Sequence, residues 1–304
     1  MDSLICTAGL VKTYRGQDVA VNGVSFEVKA GSAYGLLGPA GAGKTTVVMM
    51  LSGLLRPTKG SCRVCGISSP DEPAKAHRLC GTVTESARMY GHMTGMQNLV
   101  FFGQAFGMGH EQCRERAALL LKRLDLWDAR GVKLGAYSTG MAKRLSLARA
   151  LMHCPKVLLL DEPYSGLDAE SESVVDETLS SLMRTEGTAV LICTHQPECA
   201  ESLCGSFGIL NNGTLLADGD TESLRVSAGM KIGAAVRLAE NDTAEGFERC
   251  SGGWWRTGIA DEKEMPAAIS KLVAGGHKIF EAKLEKPAVR DIYKQYVGNG
   301  GGKK

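Results

Sequence analysis

Several classes of protein are excluded by what this chain lacks. Nowhere in its 304 residues do 18 apolar residues follow one another, so no transmembrane helix is expected. Aromatic residues make up only 6% and the net charge is +2, which gives no sign of a basic surface for nucleic acid. The first residues show no basic segment followed by a long apolar one, so we expect no secretory signal and a reducing, cytoplasmic environment.

Metal-binding cysteine motifs are also scarce. Among ten cysteines, only Cys62 and Cys65 form a C-x-x-C pair. A second pair at zinc spacing is missing, and the pair falls in a stretch that reads as a strand. We therefore expect these cysteines, like the other eight, to be free thiols that pack as small apolar residues.

The segment GPAGAGKTT at 38–46 is the most informative feature that is present. It matches G-x-x-x-x-G-K-S/T, follows a short apolar strand and opens a helix, which is the arrangement of a phosphate-binding loop. Backbone amides grip a polyphosphate at close range, and the glycines leave room for that approach. The residues expected to contact nucleotide here are Gly38, Pro39, Ala40, Gly41, Ala42, Gly43, Lys44, Thr45 and Thr46.

A second apolar strand, VLLL at 157–160, ends in two carboxylates. Asp161 stands at the strand tip, where it can hold Mg²⁺ opposite the Thr45 hydroxyl. Glu162 is one residue further on and can orient or deprotonate an attacking water. Together with the phosphate loop, this pair predicts nucleotide hydrolysis.

The chain as a whole predicts an α/β protein. Segments rich in Val, Ile and Leu alternate with helical ones up to about residue 218, which is typical of a mostly parallel sheet covered by helices. Between about 86 and 150 the pattern is helical, so we expect an inserted α-helical subdomain. The expected domains are 1–220 and a small α+β extension, 221–304, in which 261–274 reads as a helix and 278–283 as a strand. Its residues from Gly298 onward are expected to be disordered.

Four further motifs make the chain resemble the ATP-binding-cassette (ABC) ATPases. YSTGM at 137–141 resembles the family's signature motif, SGLD at 165–168 its D-loop, and Thr194-His195 its H-switch, while Tyr14 lies where the family has an aromatic that stacks on adenine. The resemblance covers about residues 3–220. It implies a P-loop NTPase (RecA-like) core with a helical insertion and an antiparallel β part.

The resemblance implies ATP hydrolysis with ATP and Mg²⁺ as cofactors. Lys44, Glu162 and His195 would be catalytic, with Glu162 acting on water and His195 on the γ-phosphate. The implied metal-binding residues are Thr45, Glu85 and Asp161.

Dimer formation is implied as well. In the family, two cassettes close face to face around two ATP molecules. Ser138 and Gly140 would then contact the ATP bound to the opposite subunit, and Asp168 would lie at the dimer interface. Tyr14 would stack on adenine. The second ATPase subunit could be an identical copy or a paralogue.

Two departures from the common family pattern bear on function. Glu85 stands where the family usually has glutamine, and its extra negative charge could slow hydrolysis or shift the Mg²⁺ dependence. In the signature, Thr139 and Met141 replace glycine and glutamine. This form resembles that of ATPases paired with ABC-2-type export permeases, which implies export of a drug, peptide, lipid or polysaccharide.

The interpretation is therefore an exporter ATPase. It would be peripheral on the cytoplasmic face of the membrane and would bind a separate permease through residues around 85–105. An importer ATPase is the first alternative, although regulatory extensions of importers are usually longer and β-rich. A soluble ABC ATPase is the second, but such proteins carry two cassettes or long coiled coils. No Asn-Lys-x-Asp guanine motif is present, and we expect no nucleic acid partner.

Overall fold

The computed structural model describes residues 2–14, 18–84, 89–239 and 243–299. Glu85 lies outside the described residues. The chain divides between Asp218 and Gly219 into two compact units. In the described residues, no helix is both long enough and apolar enough to cross a membrane.

The first unit contains ten strands and seven α-helices among its described residues. The strands are β1 (Ser3–Tyr14), β2 (Asp18–Lys29), β3 (Ala33–Leu37), β4 (Lys59–Val64), β5 (Ile67–Ser68), β6 (Cys80–Val83), β7 (Val157–Asp161), β8 (Ala189–Thr194), β9 (Ser206–Asn211) and β10 (Thr214–Gly219). The helices are α1 (Lys44–Leu51), α2 (Pro73–Leu79), α3 (Gly95–Ala105), α4 (His110–Arg123), α5 (Thr139–Leu151), α6 (Ala169–Glu186) and α7 (Pro197–Glu201).

Two sheets form the frame of this unit. One is antiparallel, in the order β2-β1-β4-β5, and the other is six-stranded, in the order β10-β9-β3-β8-β7-β6. In the second sheet β3, β6, β7, β8 and β9 run parallel. Every residue of β3, β7 and β8 is buried, because helices and the other sheet cover both faces, as the continuous apolar runs predict.

Helices α3, α4 and α5 pack on one another and form the inserted helical subdomain. Helix α3 begins at a capping box, in which Thr94 and Gln97 each accept a hydrogen bond from the other's backbone amide. Helix α5 begins at Ser138, whose hydroxyl accepts from the Met141 amide at 3.2 Å. The helix that carries the signature segment therefore starts within that segment.

The second unit is a four-stranded antiparallel sheet with helices. Its elements are α8 (Thr221–Ser227), β11 (Ile232–Arg237), β12 (Glu248–Arg249), β13 (Trp254–Ile259), α9 (Met265–Ala274), β14 (Glu281–Glu285) and α10 (Val289–Asn299). The sheet order is β12-β13-β11-β14. Trp255 is buried in the core of this unit with Val236 and Leu272. The unit therefore has an apolar core of its own.

Three details differ from the sequence expectations. A strand predicted at 278–283 lies instead at Glu281–Glu285, because the chain first turns through Gly275 and Gly276. The predicted helix at 261–274 is split into a 3₁₀ turn, Glu262–Glu264, followed by α9. Residues 298 and 299 belong to α10 rather than to a disordered tail, and residues 300–304 lie outside the described residues.

Cys62 is fully buried in the core of the first unit, where its thiol donates to the Met50 carbonyl. Burial raises the pKa of Cys62 to about 11, which makes its thiolate scarce at neutral pH. The described residues contain no group of three or more potential His, Cys, Asp or Glu metal ligands. The burial of Cys62 and its raised pKa favour packing as the role of this cysteine.

Candidate functional site

The predicted hydrolytic residues meet at the carboxyl ends of three adjacent strands. The phosphate loop follows β3, His195 follows β8 and Glu162 follows β7, and these strands are neighbours in the order β3-β8-β7. Ligand sites of open parallel sheets form at this edge, because the following loops and helix N-termini converge there. The fold thus gathers residues that are more than a hundred positions apart in sequence.

Close packing explains the glycines of the phosphate loop. A Cβ on Gly38 would lie 2.4 Å from the Leu210 carbonyl oxygen, and one on Gly43 would lie 2.3 Å from the Ala20 carbonyl oxygen. Gly43 also has φ of +108°, which is accessible essentially to glycine alone. The chain then enters α1, whose first-turn amides and dipole favour an anion at this end.

Lys44 is almost fully buried at the start of α1. Its ammonium donates to the carbonyl oxygens of Gly38 at 2.7 Å and Pro39 at 3.1 Å. It also lies 3.6 Å from the Glu162 carboxylate. A buried ammonium needs hydrogen-bond acceptors. Phosphate oxygens can take the place of these carbonyl oxygens as acceptors.

The next residue of α1 faces the acidic strand. The Thr45 hydroxyl donates to Asp161 Oδ2 at 2.6 Å, which joins the phosphate-loop helix to the tip of β7. Asp161 is buried, with 2% of its surface exposed. A hydroxyl and a carboxylate are oxygen ligands of the kind that Mg²⁺ prefers.

The Glu162 carboxylate is held by β8 and the residue after it. Its Oε2 accepts from the Thr194 hydroxyl at 3.0 Å, and its Oε1 accepts from the His195 amide at 3.1 Å. His195 Nδ1 lies 2.8 Å from the same Oε1. When Nδ1 carries the proton, it donates to the carboxylate and leaves Nε2 available for another partner.

The backbone of Glu162 is left-handed, with φ of +51°. A non-glycine residue in this conformation costs about 1–3 kcal/mol, so surrounding contacts must maintain it. The amide of Glu162 donates to the Cys193 carbonyl at 2.8 Å, and its carbonyl accepts from Lys143 Nζ at 3.0 Å. Backbone strain at a carboxylate in this position is typical of a functional residue.

Comparisons with known proteins agree with this geometry. Residues 21–165 match the family model for "ABC transporter". The chain is 37% identical over 297 residues to the doxorubicin resistance ATP-binding protein DrrA of Mycobacterium tuberculosis (strain CDC 1551 / Oshkosh), covering 93% of this chain and 88% of that one. The chain belongs to the ABC transporter family. It is an ATP-binding subunit of that family and an ATPase, as the sequence predicted.

Two further relatives bear on the assignment. The Nod factor export ATP-binding protein I of Burkholderia orbicola (strain AU 1054) is 41% identical over 209 residues, which cover 69% of this chain and 68% of that protein. The dimeric ATP-binding cassette MJ0796, bound to ADP and Pi, superposes with a TM-score of 0.66 at 25% identity, over 71% of this chain and 98% of that one. The relatives named for resistance and export agree with the prediction of an exporter ATPase.

The ABC assignment confirms the predicted α/β P-loop NTPase fold and the use of ATP. Cassettes of this family work as dimers together with membrane permeases.

The signature residues of this ABC ATPase form a second cluster. Ser138 caps α5, and a Cβ on Gly140 would lie 3.0 Å from the Ser171 hydroxyl. Asp168 caps α6 and accepts from the Ser171 amide at 2.8 Å, a bond that holds the pKa of Asp168 below its usual value. The signature and D-loop residues are thus packed on each other, while no hydrogen bond between described residues joins Ser138 or Gly140 to the phosphate loop.

Tyr14 lies at the end of β1 with 40% of its surface exposed. The Lys12 ammonium lies 5.4 Å from its ring centroid and also donates to the Arg56 carbonyl. The ring is therefore partly exposed, with a cation near it.

Sequence analysis did not find the groups that hydrogen-bond to the backbone of Glu162. Lys143 and the Cys193 carbonyl each bond to its backbone. Lys143 belongs to the helix of the signature motif, but the sequence offers no sign of which side chain of that helix turns toward the acidic strand. Lys143 is therefore found only from the structure.

Proposed function

We propose that this chain is the ATPase subunit of an exporter, in which two copies close around two ATP molecules and Glu162 activates water. The observation that carries the proposal is the position of the Glu162 carboxylate, 2.8 Å from His195 Nδ1 and 3.6 Å from Lys44 Nζ at the end of β7. A carboxylate that His195 orients beside a phosphate loop is placed to act as a base for water once the Lys44 ammonium turns to the phosphates.

Lys44 and the loop amides bind the phosphates in this proposal. The Lys44 ammonium gives up the Gly38 and Pro39 carbonyls and donates to phosphate oxygens instead. The same exchange removes Lys44 from Glu162, whose carboxylate is then free to accept a proton from water. With both ring nitrogens protonated, His195 would donate through Nε2 to the γ-phosphate while Nδ1 keeps donating to Glu162.

Thr45 and Asp161 are the residues that would hold Mg²⁺. Their oxygens lie 2.6 Å apart, with Asp161 buried and Thr45 exposed, and both suit a hard divalent cation. When bound, Mg²⁺ would neutralise part of the negative charge of the phosphates. Glu85 is proposed as a further ligand on the resemblance alone.

The second copy completes each site. Ser138 and Gly140 at the start of α5 present a hydroxyl, backbone amides and a helix N-terminus, a combination that favours an anion such as the γ-phosphate of the opposite subunit's ATP. Asp168 lies at the resulting interface. Tyr14, through its exposed ring, stacks on the adenine of its own ATP.

A permease of the cytoplasmic membrane is the proposed partner. Tyr90, Phe101 and Phe106 in and beside α3 are large apolar residues with 36–41% of their surface exposed. They adjoin a groove of about 250 Å³ that Phe102 and His153 help to line. An exposed aromatic patch of this kind is typical of a protein interface, which supports docking through residues around 85–105 on the cytoplasmic face.

The proposal is tested by replacing the base and the phosphate ligand separately. Glu162→Gln keeps the side-chain shape but cannot accept the proton, so we expect kcat for ATP hydrolysis to fall by roughly 10³-fold with nucleotide affinity within about threefold of wild type. Lys44→Ala should weaken ATP binding itself. Hydrolysis by Glu162→Gln at more than a tenth of the wild-type rate would contradict the role of Glu162.

A further inference from the structure

The carbonyl group of Glu162 receives two hydrogen bonds. Lys143 Nζ donates to it at 3.0 Å and the Ser165 amide donates at 3.3 Å. Glu162 is left-handed at φ of +51°, a conformation that surrounding contacts must maintain, and its carbonyl carbon and its Cβ are bonded to the same Cα. A contact that restrains this backbone therefore also restrains the Cα–Cβ bond from which the carboxylate extends.

Lys143 comes from the signature helix. It lies five residues after Ser138 on α5, little more than one helical turn inside the helix. The first turn of α5 rests on the segment that follows Glu162, since the Thr139 methyl would lie 3.3 Å from a Cβ on Gly166. Helix α5 therefore contacts the chain from Glu162 to Gly166 at two points: its first residue, Thr139, lies against Gly166, and Lys143 bonds to Glu162.

Glu162 is consequently held between two lysines with different tasks. Lys44 faces the carboxylate at 3.6 Å and comes from the phosphate loop. Lys143 faces the carbonyl and comes from the signature helix. Only the second lysine connects the catalytic carboxylate with the part of the molecule proposed to contact the opposite subunit's ATP.

We propose that Lys143 is a positioning residue that ties the place of the signature helix to the backbone conformation of Glu162. Lys143 does not touch the phosphates in this account and acts on the carboxylate through the Glu162 peptide. A shift of α5 on engaging the opposite subunit's ATP changes the aim of the carboxylate in its own subunit. This inference rests on the proposed catalytic role of Glu162.

The test compares Lys143→Met with a matched control in the full-length chain. Methionine keeps an unbranched chain of similar length but has no donor. Lys122→Met is the control, because Lys122 lies on α4 of the same subdomain and its ammonium sits 4.8 Å from the Trp127 ring, away from the site. Lys143→Arg retains a cationic donor and should restore function.

Two readouts separate positioning from a merely structural role. In hydrolysis assays, Lys143→Met should lower kcat by roughly 10- to 100-fold, as a misaimed base does, while the Kd for ATP stays within about twofold. In the nucleotide-free protein, hydrogen exchange of the Ser165 amide, which shares the Glu162 carbonyl, should be roughly tenfold faster. Lys122→Met should change neither quantity, and Lys143→Arg should recover kcat to within about threefold of wild type.

Glu162→Gln is measured in parallel so that a failure of the Lys143 positioning role can be told apart from a failure of the proposed function. If Glu162→Gln is inactive and Lys143→Met keeps its kcat, the positioning role is wrong and the proposed function stands. A loss of kcat matched by an equal loss in Lys122→Met also overturns the positioning role. If Glu162→Gln hydrolyses ATP normally, both proposals fall. Should Lys143→Met not fold, Lys143→Gln, with a shorter neutral donor, is expected to give intermediate kcat, and wild-type kcat in it overturns the inference.

Discussion

His153 shows how a single side chain can make the stability of this ATPase depend on pH. Its ring stacks on Phe106 with centroids 3.9 Å apart, and its Nε2 lies 3.0 Å from the Cys80 carbonyl oxygen. The Cys80 carbonyl can only accept, so Nε2 carries the proton of the neutral ring. Nδ1 is buried and has no hydrogen-bond partner among the described residues. Burial therefore lowers the pKa of His153, with smaller contributions from His77 and Arg116.

This lowered pKa predicts a loss of stability in mild acid. The unfolded chain binds a proton at His153 near the ordinary value of about 6.5, whereas the folded chain resists it, so stability is full above that value and falls as pH drops below it. Between pH 7.5 and 5.5, the fall in Tm should be about 1–3 °C larger for wild type than for His153→Phe. Equal falls would contradict the account. The exposed His110, replaced by Phe, serves as the control and should leave the pH dependence unchanged.

At the same scale, the sequence predicted residues that the structure brings together at the site, but not the contacts that hold them there. Lys44, Thr45, Asp161 and Glu162 could be predicted from residue type and spacing, and His195 from the resemblance to ABC ATPases. The left-handed backbone at Glu162 could not, because it arises from contacts made by residues distant in sequence. A sequence motif shows which side chains are present at the site, whereas tertiary contacts determine the backbone conformation in which they are held.

At the scale of elements, β6 and α5 meet without side chains between them. A Cβ on Gly81 of β6 would lie 2.4 Å from the Ala150 carbonyl oxygen and 2.8 Å from a Leu158 methyl. Such a close approach needs glycine on the strand, because the nearest atom is a backbone oxygen of α5, which cannot rotate away as a flexible side chain could. The signature helix is thereby seated on the edge of the parallel sheet.

Gly81→Ala should therefore destabilise the protein. Overpacking at this contact is expected to lower the free energy of unfolding by about 1–3 kcal/mol, measured by urea denaturation. Gly131→Ala is the matched substitution, because no heavy atom lies within 4 Å of its added methyl group, and it should stay within about 0.5 kcal/mol of wild type. A Gly81→Ala protein as stable as wild type would show that β6 and α5 are not closely seated.

Elements could be predicted where their apolar pattern was strong. The apolar runs of β3 and β7 and the helical region that contains α3 to α5 were predicted from sequence. The edge strand β14 was displaced by about three residues in the prediction, because its sequence EAKLE is almost entirely exposed and carries no buried alternation. Exposed edge strands are defined by their neighbour, here β11, rather than by their own residues.

At the scale of the whole molecule, the two compact units differ in what sequence could say of them. The motifs of the first unit assigned its fold and its reaction. The second unit has its own core, including Trp255, and Arg225 is buried there with bonds to the Met230 and Ala260 carbonyls and to Glu222. Its sequence contains no motif with a known chemistry, so its elements could be predicted only approximately.

The central claim also belongs to this scale: one chain holds the phosphate loop and the signature residues, and two copies complete each other's sites. Its most direct test is the mass of Glu162→Gln by light scattering after gel filtration, with and without ATP and Mg²⁺. ATP should shift the measured mass from that of a monomer to that of a dimer, because a site that binds ATP without hydrolysing it keeps the dimer closed. Adding Ser138→Arg should prevent the shift by filling the signature site. A single copy at saturating ATP, or a dimer indifferent to ATP, would contradict the claim.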